Sequence, residues 1–211
     1  MQFEEALRKH FKFLSSTAHD NLPALAVSRW NWGPPGDHGR RSLAKMLADM
    51  KCRFGVEVGT NHGDSAEFFL KASPKLHLVC VDPYVAYNAR HDQKERDACY
   101  LDALERLKPY NAQIIRESST DAVDGFEDRS LDFVNIDGNH EFDYVMQDLI
   151  RWAPKVRGGG VIILHDYCIM WRGGVMAAVD AYTSAHRVTQ WYVTKDKAPT
   201  AFWERGKALV R

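Results

Sequence analysis

Between residues 53 and 166 the chain alternates two hydrophobic rhythms. Short, nearly continuous apolar runs are "RFGVEVG" (53–59), "LHLVCVD" (76–82), "AQIIRE" (112–117), "LDFVNID" (131–137) and "GGVIILHD" (159–166). Between them lie longer stretches in which apolar residues recur every three or four positions. The first kind predicts strands buried on both faces, the second amphipathic helices. Helices are expected over 63–71 (Phe69, Leu70), 91–107 (Leu101, Leu104, Leu107), 140–153 (Val145, Leu149, Trp152) and about 174–186. Strands that alternate with helices pair in parallel under helices on both faces. The rhythm changes at the end, where "RVTQWYVTK" and "PTAFWER" are joined only by "DKA". A connection that short requires antiparallel pairing.

The pattern therefore predicts an α/β fold: a doubly wound, mostly parallel, seven-stranded Rossmann-like sheet closed by a C-terminal antiparallel hairpin. Upstream, Phe3, Leu7, Phe11 and Leu14 predict one amphipathic helix over 2–14, then an irregular Pro/Gly loop, "SRWNWGPPGDHG", then a helix over about 40–51. One domain, 1–211, is expected, with 1–52 a helical extension and 53–205 the Rossmann-like core.

Composition narrows the function classes. The chain has 211 residues, enough for one well-buried core. Lys plus Arg and Asp plus Glu number 28 each, and the pI is near 7.1. That balance gives no electrostatic footprint for nucleic acid or an anionic membrane. No apolar run approaches a membrane span, and the acidic, amphipathic start does not read as a secretory signal. The four cysteines (52, 80, 99, 168) lack C-x-x-C spacing and read as free thiols in a reducing compartment. A cytoplasmic protein is expected, its oligomeric state open, a homo-oligomer included.

Candidate chemistry gathers where the strands end. In open α/β sheets ligands bind beyond the carboxyl ends of the strands, near the switch point. The first core strand runs into "VEVGTNHGDS", an E-x-G-x-x-x-G spacing over Glu57, Gly59 and Gly63. A glycine turn lets backbone approach a ligand, and the following helix N-terminus offers free N–H groups. The G-x-G-x-x-G of dinucleotide enzymes is absent, which argues against an NAD-dependent oxidoreductase. The second strand ends at Asp82, where a carboxylate can take both ribose hydroxyls. The fourth and fifth each end in His and Asp, as "IDGNH" (Asp137, His140) and "LHDY" (His165, Asp166). Two carboxylates at neighbouring strand ends can converge on one divalent cation, and a neutral imidazole can accept a proton near pH 7. The plain alternative is that each Asp caps the next helix.

Together "VEVGTNHGDSAEFF", "VCVDPY", "VNIDGNHEFDYVMQDLIRWAPKVRGGGVIILHDY" and the terminal hairpin resemble the class I S-adenosylmethionine-dependent methyltransferases. The D-G-x-H and H-D-Y signatures are similar to the small-molecule and sugar O-methyltransferases of the macrocin and mycinamicin type. The resemblance covers roughly 53–205. It implies that Glu57 holds the methionine amino group of S-adenosyl-L-methionine and that Gly59, Thr60, Asn61, Gly63 and Ser65 line the cofactor. Asn61 stands where the family usually has a glycine. Asp82 would bind the ribose, and the "RESS" turn (Glu117, Ser118, Ser119) would meet the adenine.

The resemblance further implies that Asp137 and His140 are the catalytic pair, Asp137 a metal ligand and His140 the base. Asp166 would be a second ligand, and His165, where several members carry an acidic residue, would join a mixed donor set for magnesium or another divalent metal. The implied acceptor is a small hydroxylated molecule. A metal-independent or N-methylating enzyme, or a non-catalytic cofactor-binding module, stays open. Trp30, Trp32 and Trp171 are candidates for an acceptor pocket or for packing, and "ARHDQKERD" (89–97) reads as a solvated helix face.

Overall fold

The computed structural model describes residues 1–14, 23–29, 38–87 and 91–206. A single nine-stranded sheet runs through them. In chain order its strands are β1 (Phe11–Phe13), β2 (Ala24–Ser28), β3 (Phe54–Val58), β4 (His77–Val81), β5 (Ala112–Ile115), β6 (Leu131–Ile136), β7 (Val156–Leu164), β8 (Tyr192–Thr194) and β9 (Ala201–Glu204). Their spatial order is β1-β2-β8-β9-β7-β6-β3-β4-β5. The pairings from β7 to β5 are parallel, β9 is antiparallel to both β7 and β8, and β1 is antiparallel to β2. The chain leaves β3 toward β4 and β5, then returns to β3's other side for β6 and β7. The switch point thus lies at the carboxyl ends of β3, β4 and β6.

The helices are α1 (Phe3–His10), α2 (His38–Asp49), α3 (Asp64–Ala72), α4 (Gln93–Leu107), the single turn α5 (Ser119–Ala122), α6 (Phe142–Trp152) and α7 (Gly174–Ala185). Alternation along each strand sorts side chains into two cores. Val56, Val58, Val79, Val81, Val134, Ile136, Ile162 and Leu164 face α6 and α7, packing with Val145, Leu149, Trp152 and Val179. Leu78, Cys80, Phe133, Val161 and Ile163 face α1, α2 and α3, packing with Leu7, Leu43, Met46, Phe69 and Leu70. Each fully buried aliphatic side chain contributes roughly 1.5–3 kcal/mol, so strands buried on both faces carry most of the stabilisation.

Two expectations need correction. The extension is not purely helical: α1 stops at His10, and Phe11 enters the sheet as the first residue of β1. The i, i+4 spacing of Phe3, Leu7 and Phe11 fits a helix, but Phe11 is fully buried against the Phe202 ring at 5.6 Å. With β2, which pairs in parallel with β8, this lengthens the predicted seven strands to nine. On α4, Leu101 and Leu104 are exposed (63 % and 41 %), while Arg96, Cys99, Ala103 and Leu107 are buried. A buried ion pair, described below, sets that rotation. Trp30 and Trp32 lie outside the described residues. No helix among the described residues is long and apolar enough to cross a membrane.

Candidate active site

The turn after β3 is built by backbone necessity. Gly59 has φ +86°, and a Cβ there would sit 2.2 Å from the Asp137 carbonyl oxygen. Only glycine allows the turn after β3 to lie against the turn after β6. Gly63, at φ +80°, precedes α3, and its N–H donates to the Thr60 carbonyl at 2.8 Å.

Glu57 lies one residue before Val58 on the α3 side of the sheet and is completely buried. Its register partner on β6 is Asn135, whose Nδ2 donates to Glu57 Oε1 at 3.1 Å. The other oxygen, Oε2, has no well-formed hydrogen bond among the described residues, although Ser65 lies near enough to the carboxyl to favour its charge. Burial and the nearby Asp137 charge push the Glu57 carboxyl up to about 8; Ser65, Arg40 and Asn135 offset them only in part. A buried acceptor with an open oxygen fits a cationic ligand group.

Asp82, at the end of β4, is also buried. Asn61 N–H donates to Oδ2 at 2.9 Å and Tyr84 N–H to Oδ1 at 2.8 Å. Arg96, from α4, donates through Nη2 to both oxygens at 3.3 and 3.5 Å and through Nη1 to Asn61 Oδ1 at 3.0 Å. Arg96 therefore belongs to the site, not to a solvated face. Its partner is 14 residues away and its own neighbours are charged, so only the low exposure of its side chain (8 %) reveals the role. Asn61 adopts φ +49° and accepts the Tyr84 hydroxyl on its carbonyl at 2.9 Å. Ser118 caps α5, its Oγ accepting from Asp121 N–H. Ser119 is committed to Asp148 and to Trp152 Nε1. Glu117 is exposed beside them.

The ends of β6 and β7 bring together Asp137, His140, His165 and Asp166. His140 Nε2 lies 3.5 Å from Asp137 Oδ1 and 3.2 Å from Asp166 Oδ2. His165 Nδ1 lies 3.2 Å from Asp137 Oδ1 and 3.3 Å from Asp166 Oδ1. Burial depresses His140, but the two carboxylates outweigh it and raise it to about 9. Burial likewise works against ionised Asp137, yet His165, His140 and Arg40 bring it down to about 2, and the two histidines hold Asp166 low as well.

Arg40, from α2, contacts His165 Nε2. Burial works against a charged His165, but Asp137 and Asp166 outweigh it and raise the ring to about 9, so a hydrogen stays on Nδ1, aimed at the carboxylates. His165 in this state offers no lone pair to a cation between them. The oxygens and nitrogen that lie within 4.8 Å of one another in a metal-compatible group are those of Asp137, His140 and Asp166. Neither Asp caps a helix: α6 is preceded by Glu141 and α7 by Gly173. Asp166 holds φ +58°, a strained conformation that turns its side chain back toward His140. Gly174 presses on the His140 loop so closely that a Cβ would sit 2.3 Å from the His140 carbonyl oxygen.

Arg40, Arg96 and Asn135 escaped the sequence reading. Asn135 had a signal, being a buried polar position inside the apolar run of β6, opposite Glu57 in register.

Comparison with known proteins bears on the family and the fold. A methyltransferase-domain family model matches residues 56–167. Protein y4gI of Sinorhizobium fredii is 28% identical over 115 residues, 53% of this chain and 13% of that protein. A protein of Acanthamoeba polyphaga mimivirus is 27% identical over 130 residues, 59% of this chain and 57% of its own length. The match thus spans a small part of the first relative and just over half of the second. Among solved structures, the O-methyltransferase NovP superposes with a TM-score of 0.57 at 16% identity, covering 80% of this chain and 78% of NovP. With its family match running from β3 to the turn after β7, and its Rossmann-like sheet, the chain belongs to the class I S-adenosylmethionine-dependent methyltransferase domains.

Proposed function

We propose that this chain transfers the methyl group of S-adenosylmethionine to a hydroxyl of a small-molecule acceptor, with His140 as the base and Asp137 and Asp166 holding a divalent cation beside it, magnesium first among them. The observation that carries the reading is the convergence of those three side chains one glycine turn from Glu57. Gly59 packs directly on the Asp137 carbonyl, so the two half-sites are registered to each other through backbone.

Glu57 Oε2 is the acceptor for the methionine ammonium, and Asp82 for the ribose hydroxyls. Asp82 already takes bonds from two backbone N–H groups and from Arg96, which hold its carboxylate in one orientation for the diol. Bound there, S-adenosylmethionine supplies the methyl and its own leaving group. A divalent cation supplies Lewis acidity and orients the acceptor oxygens. The protein's contribution is position and proton management. With its nitrogen between two carboxylates, His140 keeps a proton at pH 7; it would become an acceptor if a cation held by Asp137 and Asp166 balanced those carboxylates instead. His165 Nδ1 shares Asp137 Oδ1 with His140 and takes the other oxygen of Asp166, while Arg40 packs on its far nitrogen.

Magnesium with cofactor should support turnover, a chelator should abolish it, and binding of S-adenosylhomocysteine should survive the chelator. Asp137→Asn and Asp166→Asn should each lose metal and activity together, the double variant being little worse than either. A metal-independent reading has its own support, because His140 already bridges the two carboxylates and can serve as their cation. Full activity in chelator would establish that reading and discard the metal.

A further inference from the structure

A second cluster of donors lies on the other side of the cofactor turn. His62, within the β3–α3 turn, points its Nε2 at Cys99 Sγ, 3.4 Å away on α4. Cys99 Sγ is 3.2 Å from Glu95 Oε1, one helical turn earlier. Nδ1 of His62 meets Asp102 Oδ2 at 2.9 Å, one turn later on the same helix. Glu95 Oε2 is shielded from solvent and faces His91 Nδ1 at 3.4 Å.

We propose that His62, Glu95 and Cys99 form a zinc-type site that clips the cofactor turn to α4. Three features of the cluster carry this. Nδ1–H donation to Asp102 leaves the Nε2 lone pair of His62 directed at the cluster, the outer-shell carboxylate arrangement usual for metal-bound histidine. Tetrahedral zinc, with bonds of about 2.3 Å to sulfur and about 2.0–2.1 Å to nitrogen or oxygen, sets its donors roughly 3.5 Å apart. The Cys99 separations of 3.4 and 3.2 Å match that spacing without rearrangement, and the three donor atoms lie within 4.8 Å of one another. The mixture of sulfur, nitrogen and oxygen selects zinc over magnesium.

The chemistry balances simply. Cys99 is a thiol in the absence of metal, burial and the Glu95 carboxylate pushing it up to about 11. Metal binding releases that proton to solvent and forms the thiolate bond, while a water completes the coordination. Arg96 Nη1, 3.7 Å from the sulfur and 3.9 Å from Glu95 Oε2, adds positive charge beside the thiolate, and its Nη2 ties the cluster to Asp82. The site is independent of the methyl-transfer reading, since its ligands include none of the groups assigned to acceptor or catalytic metal.

The test titrates the metal-free full chain, carrying Asp137→Asn to silence the other donor group, with Co²⁺ and then Zn²⁺. One equivalent of Co²⁺ should give a thiolate-to-cobalt charge-transfer band, which one equivalent of Zn²⁺ removes. Cys99→Ser should abolish the band and Cys168→Ser should keep it. Because Cys99 is buried, His62→Ala provides the second reading: that side chain is 39 % exposed, and its loss should weaken Zn²⁺ binding at least tenfold. A cobalt complex without a thiolate band, or a band that persists in Cys99→Ser, overturns the proposal.

Discussion

Replacing Glu57 with glutamine should make the ligand-free protein more stable and the ligand-binding protein worse. The folded carboxyl titrates at about 8 against an ordinary 4.5. An acid raised in the folded state binds more protons there than when unfolded, so its contribution to stability falls as pH rises from 4.5 through 8. At about 1.4 kcal/mol per unit, the penalty is under about 1 kcal/mol at pH 5 and roughly 3 kcal/mol at pH 7. Glutamine keeps a carbonyl oxygen for Asn135 Nδ2 and carries no charge to desolvate. Thermal unfolding of ligand-free wild type and Glu57→Gln at pH 5, 7 and 8 measures this directly. The gap should open with pH in the variant's favour, reaching several degrees at pH 7, given about 2–4 °C per kcal/mol for a chain this size. Calorimetric titration with S-adenosylhomocysteine should then show the variant weaker by about 1.5–3 kcal/mol, a loss of tenfold or more. A variant no more stable than wild type at pH 7 and 8 would refute the reasoning, because the buried charge would then be compensated by a group other than those named.

Arg96→Ala strips a buried carboxylate of its cation and should cost about 3–5 kcal/mol by denaturant unfolding, with cofactor affinity falling in parallel. His140 is raised from 6.5 to about 9, so the stability it adds is complete below pH 6.5 and fades as pH climbs through 9; in His140→Ala the loss of stability over that window should shrink. Gly174→Ala should lower kcat while leaving S-adenosylhomocysteine affinity near wild type, since the new methyl strikes the His140 loop and not the β3 turn. Gly59→Ala should impair both, because its Cβ strikes the Asp137 carbonyl and its φ is +86°.

The core was readable because strands buried on both faces are predominantly apolar, as β3, β4, β6 and β7 are. Glu57, Gly59, Asp82, Asp137 and Asp166 stood out as breaks in those runs at the strand ends, and the structure brings Asp137 and Asp166 onto one histidine. The unread parts depend on contacts distant in sequence. Phe11 continues a helical spacing, yet it leaves the helix to pack on Phe202, nearly the whole chain away. On α4, leucine periodicity pointed to Leu101 and Leu104, but burying Arg96 against Asp82 turns the helix so that both leucines face water. Arg40 reaches His165 across 125 positions, a pairing no local pattern encodes.

The strand order carries a consequence for how acceptor choice can diversify. Across the sheet, the groups proposed for the cofactor come from β3 and β4, the Asp and His pairs from β6 and β7, and the N-terminal strands attach beyond β8 at the opposite margin. The N-terminal segment touches both halves through α2: Arg40 reaches His165 and sets its charge near Glu57, and Arg41 lies over the Phe68 ring of α3. A chimera carrying residues 1–52 of a relative should therefore shift acceptor preference and affinity for S-adenosylhomocysteine together.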